Sequence, residues 1–311
     1  MTEPVIAARG LVKTYGATRA VDGIDLEVMG GEIVGLLGPN GSGKTTTILI
    51  LLGLTEAEVG EVSVLGFDPL REPLEVKRRV GYLPDAIGFY DGMTARANLR
   101  YMGRLAGIAP RELGLRIAAA VDRVGLGAWI DKKVGTFSRG MIQRLGLAEV
   151  LVKRPAVVIL DEPTAALDPH ATHEFLEMIR GIKAEGSTVL LASHHLDQVQ
   201  IVCDRVALFH RGRVALEGTI GELARRVLGG GYAVAVEADG IDVDTLASVP
   251  GVIQATEPAP GSFHLEASHD VRPLVAARIV QSKGQLFKIG MAEPSLNEIY
   301  TQYFQGMSHA A

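Results

Sequence analysis

The stretch Gly38-Pro39-Asn40-Gly41-Ser42-Gly43-Lys44-Thr45 decides how this chain folds. It follows the apolar run 33–37 and precedes the largely apolar segment 46–52, so the local order is strand, glycine-rich loop and helix. In this context the pattern G-x-x-x-x-G-K-[ST] forms a phosphate-binding loop. Glycines let consecutive backbone N–H groups turn towards phosphate oxygens, and the positive end of the helix points at the same anion. We therefore predict that the chain binds a nucleoside triphosphate.

Two side chains of this loop carry specific chemistry. Lys44 supplies a full positive charge for the outer phosphates, and the hydroxyl of Thr45 can ligate Mg²⁺. The predicted nucleotide-binding residues here are Gly38, Pro39, Asn40, Gly41, Ser42, Gly43, Lys44, Thr45 and Thr46.

The composition limits the class of protein. The chain has 311 residues, of which 47% are hydrophobic and 22% charged, as expected for one large domain, alone or with a small one. The net charge of −5 gives no sign of a nucleic-acid surface, so no nucleic-acid partner is expected. The single cysteine, Cys203, excludes an intrachain disulfide, and its apolar neighbours favour a buried packing thiol. No apolar run approaches the ~20 residues of a membrane span, and the first residues lack signal-peptide features, so we expect a cytoplasmic protein.

Two more apolar runs end in polar residues. The run 156–160 is typical of a buried parallel strand, and Asp161 and Glu162 follow it. Asp161 is the expected acid on the Mg²⁺ side, and Glu162 could polarise a water for in-line attack. The run 188–193 ends in His194 and His195, of which one could contact a γ-phosphate and the other would begin a helix.

The remaining pattern predicts an insertion and a second module. Residues 94–127 have helical periodicity, broken at Pro110, between two strands of the core. The glycines 229–231 indicate a linker. Beyond them, strand, helix, two strands, helix, strand and a last helix predict a ferredoxin-like α+β module. His264 and His269 could form a metal pair there, but we favour surface histidines.

Over about residues 4–222 the chain resembles the ATP-binding subunit of an ATP-binding-cassette (ABC) transporter. The loop 38–45 is similar to the family's Walker A loop, and Asp161 and Glu162 are similar to its Walker B aspartate and catalytic glutamate. His194 matches the switch histidine. The resemblance implies that Lys44, Glu162 and His194 are catalytic and that ATP and Mg²⁺ are the cofactors.

Other positions match the family in residues that hold the nucleotide. Tyr15 matches the aromatic residue that stacks on adenine, although the sequence without the resemblance favours a strand-end tyrosine that fills a surface gap. Ser138 and Gly140 match the signature loop, which in this family contacts the γ-phosphate held by the other subunit. The segment Ala166-Leu167-Asp168 matches the D-loop, which adds Asp168 to the site.

Two positions depart from the family pattern. The family's signature LSGGQ is replaced here by Phe137-Ser138-Arg139-Gly140-Met141. Arg139 stands in the place of a glycine, so the sequence does not decide whether the backbone there can come close to a nucleotide. Asp85 stands where the Q-loop glutamine would be, one methylene shorter than glutamate and without an amide. The resemblance makes Asp85 a third Mg²⁺ residue beside Thr45 and Asp161, through direct contact or a bridging water.

The carboxyl-terminal segment indicates which branch of the family the chain resembles. Residues 293–300 are similar to the tail of the ABC-2 branch, whose cassettes work with separately encoded permeases. Segments 83–85, 89–90 and 138–141 are also similar to the cassette of nitrous-oxide-reductase maturation systems, which works with a membrane permease in copper-site assembly.

We therefore predict an α/β P-loop ABC domain at 1–222, with an antiparallel β subdomain and an α-helical subdomain at about 86–150. A linker (223–231) and an α+β ferredoxin-like accessory domain (232–311) complete the chain. The implied function is ATP hydrolysis in a head-to-tail dimer that drives integral membrane permease subunits from the cytoplasmic face of the cell membrane. The alternative is a soluble ABC-type ATPase with a regulatory or assembly role.

Overall fold

The computed structural model of the protein describes residues 3–165, 167–227, 232–291 and 295–308. The chain divides into two compact units, Met1–Gly218 and Thr219–Ala311. Residues 223–227, which we assigned to the linker, belong to a helix, and residues 228–231 lie outside the described part of the chain. The domain limits drawn from the sequence otherwise stay predictions.

The first unit contains two sheets and the helices that cover them. Its elements in chain order are β1 (Ile6–Tyr15), β2 (Thr18–Val28), β3 (Ile33–Leu37), α1 (Lys44–Leu51), β4 (Val59–Val64), α2 (Pro73–Arg79), β5 (Val80–Leu83), α3 (Ala95–Leu105), α4 (Pro110–Arg123), α5 (Arg139–Val152), β6 (Val157–Asp161), α6 (Pro169–Ala184), β7 (Thr188–Ser193), α7 (Leu196–Val202), β8 (Arg205–His210) and β9 (Arg213–Gly218).

The larger sheet has the strand order β5-β6-β7-β3-β8-β9, with every neighbouring pair parallel except β8 and β9. Every residue of β3, β6 and β7 is buried, because helices cover both faces of a parallel sheet and only apolar runs fit there. This order sets the carboxyl ends of β6, β7 and β3 side by side, where ligands bind in such sheets.

The smaller sheet is antiparallel, with the order β2-β1-β4. Its buried residues, such as Ile6, Leu11 and Ile24, form one core with Val34 of β3 and Ile48 of α1. This shared core fixes the antiparallel sheet against the helix that follows the glycine-rich loop.

The helical insertion lies between β5 and β6, as predicted. Thr94 caps α3 by accepting a hydrogen bond from the N–H of Ala97, and Pro110 begins α4, where its missing N–H costs nothing. None of the helices in the described part of the chain has both the length and the apolar character that crossing a membrane requires.

The second unit is a four-stranded antiparallel sheet with helices. Its elements are α8 (Ile220–Val227), β10 (Tyr232–Asp239), α9 (Val243–Ala247), β11 (Val252–Ala259), β12 (Ser262–Ala267), α10 (Arg272–Gln281), β13 (Gln285–Met291) and α11 (Leu296–Ser308). The order β11-β12-β10-β13 confirms the ferredoxin-like arrangement. His264 is exposed on β12, while the ring of His269 lies against Gly251 with its Nδ1 3.1 Å from the hydroxyl of Ser268.

Candidate active site

The loop between β3 and α1 can only be built with glycine at two positions. A Cβ at Gly38 would lie 2.3 Å from the carbonyl oxygen of Phe209, and one at Gly43 would lie 2.5 Å from that of Ala20. Both residues have positive φ, 153° and 107°, and Gly43 lies in the left-handed region that disfavours side chains. Backbone packing therefore holds both ends of the loop, while Asn40 and Gly41 between them are exposed.

The loop ends at the N-terminus of α1. Gly43 occupies the cap position and has no side chain to satisfy the first N–H groups of the helix, which leaves them available to an anion. Lys44 begins the helix, is only 5% exposed, and donates a hydrogen bond from Nζ to the carbonyl oxygen of Gly38 at 2.7 Å. Burial lowers the pKa of Lys44, and the carboxylates of Glu162 and Asp161 partly offset that effect.

Asp161 is the last residue of β6, two strands from β3, and is 2% exposed. Its carboxylate interacts with the hydroxyl of Thr45 through a hydrogen bond, which joins the end of β6 to the first turn of α1. Burial raises the pKa of Asp161 more than this hydrogen bond lowers it. The two residues predicted to hold Mg²⁺ from the phosphate loop and from β6 are therefore adjacent.

Glu162 has a left-handed backbone, with a φ of 48°. Its N–H donates to the carbonyl oxygen of Ala192 on β7 at 2.9 Å, and its Oε2 lies 2.8 Å from Nδ1 of His194. Its Oε1 lies 3.6 Å from Nζ of Lys44. The three residues predicted to be catalytic thus form one chain of contacts, from Lys44 through Glu162 to His194.

The donor atoms around the loop fit a hard divalent cation bound with nucleotide phosphates. Ser42 Oγ, Asp161 Oδ1 and Glu162 Oε1 are buried in this region without a hydrogen-bond partner, and oxygen atoms of this kind are the ligands that Mg²⁺ takes. In the described part of the chain no group of three or more His, Cys, Asp or Glu side chains could hold a metal ion by itself. Phosphate oxygens would therefore have to complete the coordination.

Asp85, the third predicted metal residue, is exposed beyond the end of β5. Its charge contributes to the raised pKa of Asp161, and, with burial and Asp161, to the pKa of Tyr82, which rises to about 12. Asp85 is therefore close enough to Asp161 for the charges of the two carboxylates to interact.

The signature and D-loop residues occupy helix starts. Ser138 caps α5 by accepting a hydrogen bond from the N–H of Met141 at 3.3 Å, and Asp168 caps α6 through the N–H of Ala171 at 2.9 Å. A Cβ at Gly140 would lie 3.6 Å from Leu167, so the signature loop and the segment before α6 meet; Ala166 lies outside the described residues. Within the described ranges, no hydrogen bond joins Ser138, Gly140 or Asp168 to the loop 38–46.

Tyr15 lies at the end of β1 with 49% of its surface exposed. Nζ of Lys13 lies 5.5 Å from the centre of its ring, and its hydroxyl is 3.5 Å from that of Thr55. The ring is thus at the surface, where a planar base could stack on it.

Sequence reasoning missed two residues next to this site, Thr164 and Gln198. It placed the second histidine correctly, since His195 is the N-cap residue of α7. Thr164 and Gln198 share a hydrogen bond behind Glu162, and the ring of His195 lies 3.9 Å from that of His194 at 40°. The available signal was proximity in the chain: Thr164 comes two residues after Glu162, and Gln198 comes four residues after His194.

Known proteins are similar to this chain in sequence and in fold. A family model described as "ABC transporter" matches residues 21–165. The daunorubicin/doxorubicin resistance ATP-binding protein DrrA of Streptomyces peucetius is 42% identical over 224 residues, which are 71% of this chain and 68% of that protein. The linearmycin resistance ATP-binding protein LnrL of Bacillus subtilis (strain 168) is 30% identical over 302 residues, 95% of this chain and 97% of that protein.

A solved structure of the ATP-binding subunit of an ABC transporter superposes with a TM-score of 0.67 at 30% identity, and the match covers 73% of this chain and 94% of that one. The α/β P-loop fold is thereby confirmed, as is the prediction that the chain is the ATPase subunit of a transporter. The chain belongs to the family of ABC transporter ATP-binding proteins, whose cassettes bind nucleotide.

Proposed function

We propose that this subunit binds ATP with Mg²⁺ on the loop 38–46 and hydrolyses it in a site completed by a second copy of the chain. The observation that carries the proposal is the placement of Glu162. Its carboxylate lies between Lys44 and His194, next to a loop whose N–H groups and buried lysine suit phosphates. A carboxylate there is positioned for a water that attacks the terminal phosphorus.

Each residue has a defined task in this proposal. Glu162 orients the attacking water and accepts its proton, while His194 holds that carboxylate through Nδ1. Lys44 exchanges its hydrogen bond to Gly38 for one to a phosphate oxygen and stabilises the charge that develops during transfer. When bound, Mg²⁺ neutralises phosphate charge, and Thr45, Asp161 and Asp85 are the residues that would hold it.

The second copy is proposed because, among the described residues, no hydrogen bond joins the signature loop to the nucleotide loop of the same chain. Ser138 and Arg139 are exposed at the N-terminus of α5. A helix N-terminus attracts anions, so this end of α5 is suited to the γ-phosphate that the other copy holds. In that arrangement Gly140 permits close approach of the backbone, and Asp168 lies near the contact between the two copies.

Separately encoded integral membrane permease subunits are the proposed mechanical partner, reached from the cytoplasmic face of the cell membrane. The helical insertion exposes Tyr90 to 55%, and Tyr90 packs edge-on against the exposed Tyr101, with ring centres 5.5 Å apart. Phe89 and Met93, two apolar side chains close to Tyr90 in the sequence, are half-buried and are further candidates for this contact. The names of two relatives contain "resistance" to an antibiotic, which supports a small organic compound as the transported substrate.

The substitution Glu162→Gln tests this function. It removes the proton acceptor and keeps the shape, so we expect ATP binding to persist, turnover to fall by roughly 100-fold or more, and an ATP-dependent dimer to accumulate in light scattering. Glu177→Gln, at an exposed glutamate of α6, is the matched control and should turn over like the wild type. Undiminished turnover in Glu162→Gln would refute the assigned role, and a chain that stays monomeric with ATP would refute the two-copy site.

A further inference from the structure

The loop after β6 keeps Glu162 in an unfavourable backbone conformation. A non-glycine residue with a φ of 48° persists only where its surroundings hold it. Two backbone hydrogen bonds help: the N–H of Glu162 donates to Ala192, and the N–H of Ala165 donates to the carbonyl oxygen of Glu162 at 3.3 Å. Neither bond reaches α7, the helix that follows His194.

Thr164 supplies a link to that helix. Its side chain is 4% exposed, and its hydroxyl donates to Oε1 of Gln198 at 2.5 Å. Gln198 lies in the first turn of α7, directly after the segment that carries His194. Truncating either side chain would break this buried hydrogen bond. The bond is therefore a specific connection between the loop of Glu162 and helix α7.

Helix α7 is a firm support for this bond. Val199 is fully buried, and a Cβ at Gly35 of β3 would lie 2.6 Å from its Cγ1, so the helix is seated directly on the strand that leads to the phosphate loop. Asp204, just beyond the helix, accepts a hydrogen bond from the N–H of Ile33 at 2.7 Å. His195, which precedes the first turn, lies with its ring tilted against that of His194.

We propose that Thr164 and Gln198 are positioning residues that set the distance between Glu162 and His194. The bond fixes the loop of Glu162 to the helix whose start places His194, so that the contact of 2.8 Å between the two side chains is kept while nucleotide binds and leaves. This inference rests on the proposed function, in which Glu162 and His194 act in hydrolysis. A carboxylate displaced by about 1 Å from its water can lose a factor of roughly 100 in rate.

The test uses the 311-residue chain, four variants of the Thr164–Gln198 pair and one control variant. Thr164→Val and Gln198→Met each remove the bond with little change of volume, the double variant removes both partners, and Thr164→Ser keeps the hydroxyl. Thr172→Val, at a buried threonine of α6, is the matched control for losing a threonine hydroxyl. For each protein we would measure kcat and KM for ATP, the Kd of a fluorescent ATP analogue with turnover blocked by omitting Mg²⁺, and the thermal midpoint.

We expect Thr164→Val and Gln198→Met to lower kcat by roughly 10-fold to 100-fold, with Kd unchanged within twofold. The double variant should lose no more than the worse single one, because the two side chains act through one bond. Thr164→Ser and Thr172→Val should turn over like the wild type.

Three results would overturn the inference: kcat unchanged in both single variants, losses that multiply in the double variant, or a loss confined to Kd and thermal midpoint. Glu162→Gln, measured in parallel, separates this failure from that of the proposed function. If Glu162→Gln lowers kcat and the single variants do not, only the positioning role is wrong. If Glu162→Gln leaves kcat unchanged, the function on which it rests is wrong.

Discussion

The surroundings of the nucleotide loop in the first unit and the surface of the second unit hold charge in opposite ways. In the first, Lys44 and Asp161 are almost fully buried, and burial moves the pKa of each group in the direction that disfavours its charged form. In the second, the paired charges of Asp270 and Arg272 lie at the surface, and their hydrogen bonds lower the pKa of Asp270 to about 2. The described core of the second unit consists of apolar residues, such as Val236 and Phe263.

This difference shows at which part of the fold buried charge lowers the free energy of unfolding. Buried charge without full compensation is costly, and here it collects at the carboxyl ends of β3 and β6, where Ser42, Asp161 and Glu162 keep polar atoms without hydrogen bonds. In the proposed function, a bound nucleotide with its cation would supply the partners that these atoms lack. The ferredoxin-like module has no comparable site among its described residues, which is typical of a unit held by packing alone.

The largest effect that we expect is the loss of ATP affinity in Lys44→Ala. This substitution removes the buried cation that faces the phosphates, and a charge-assisted hydrogen bond of roughly 3 kcal/mol corresponds to about a 100-fold loss of ATP affinity. Isothermal titration with ATP would measure it. Lys132→Ala, which removes an exposed lysine of the helical insertion, is the matched control, and unchanged ATP affinity in Lys44→Ala would sink the phosphate-loop assignment.

The sequence predicted those parts of the site that are local in the chain. The loop 38–45 and its flanking strand and helix are one continuous segment, so a single motif was enough. The apolar runs before Asp161 and Ser193 indicated buried parallel strands, and the alternation beyond residue 232 indicated the ferredoxin-like order; the sheets confirm both. The similarity to nitrous-oxide-reductase maturation cassettes and the roles of individual site residues stay predictions.

What the sequence did not reveal depends on packing between distant segments. Thr164 and Gln198 are 34 positions apart and meet only because β6 and β7 are parallel neighbours. Ser138 and Asp168 were predicted for the nucleotide, and each also caps a helix, which a motif match does not show. The linker limits 223–231 stay a prediction, although residues 223–227 lie in α8.

Asp161→Asn should have a smaller effect than Lys44→Ala. It should raise thermal stability and lower turnover. We expect the metal-free, nucleotide-free variant to melt a few degrees above the wild type, because a carboxylate with uncompensated burial becomes neutral. Turnover with Mg²⁺·ATP should fall by at least about 10-fold, since a ligand charge for the cation is lost.

The pH dependence of stability gives a second test of the buried charge of Asp161. The folded-state pKa of Asp161 is raised above 3.8, so the native state holds this proton more tightly than the unfolded state. Wild-type stability relative to Asp161→Asn is therefore greatest below pH 3.8 and is lost as the pH rises through the raised pKa. Calorimetry in EDTA from pH 4 to 7 would measure the gap, and a gap that narrows as the pH rises would contradict the burial argument.

Asp270→Asn should give the smallest effect, and its sign should be the reverse of that for Asp161→Asn. The folded-state pKa of Asp270 is depressed to about 2, chiefly by the side-chain hydrogen bonds from Arg272, so its charge stabilises the fold above pH 3.8 and that contribution is lost as the pH falls through about 2. Because both groups are exposed, solvent screens the pair, and at pH 7 the midpoint should fall by about 1 °C or less. Calorimetry of both variants at low and high salt would measure this, with salt reducing only the Asp270 effect, since exposed pairs are screened and buried charges are not. If Asp270→Asn instead raised the midpoint, or if Asp161→Asn lowered it, the two units would not differ in how they hold charge.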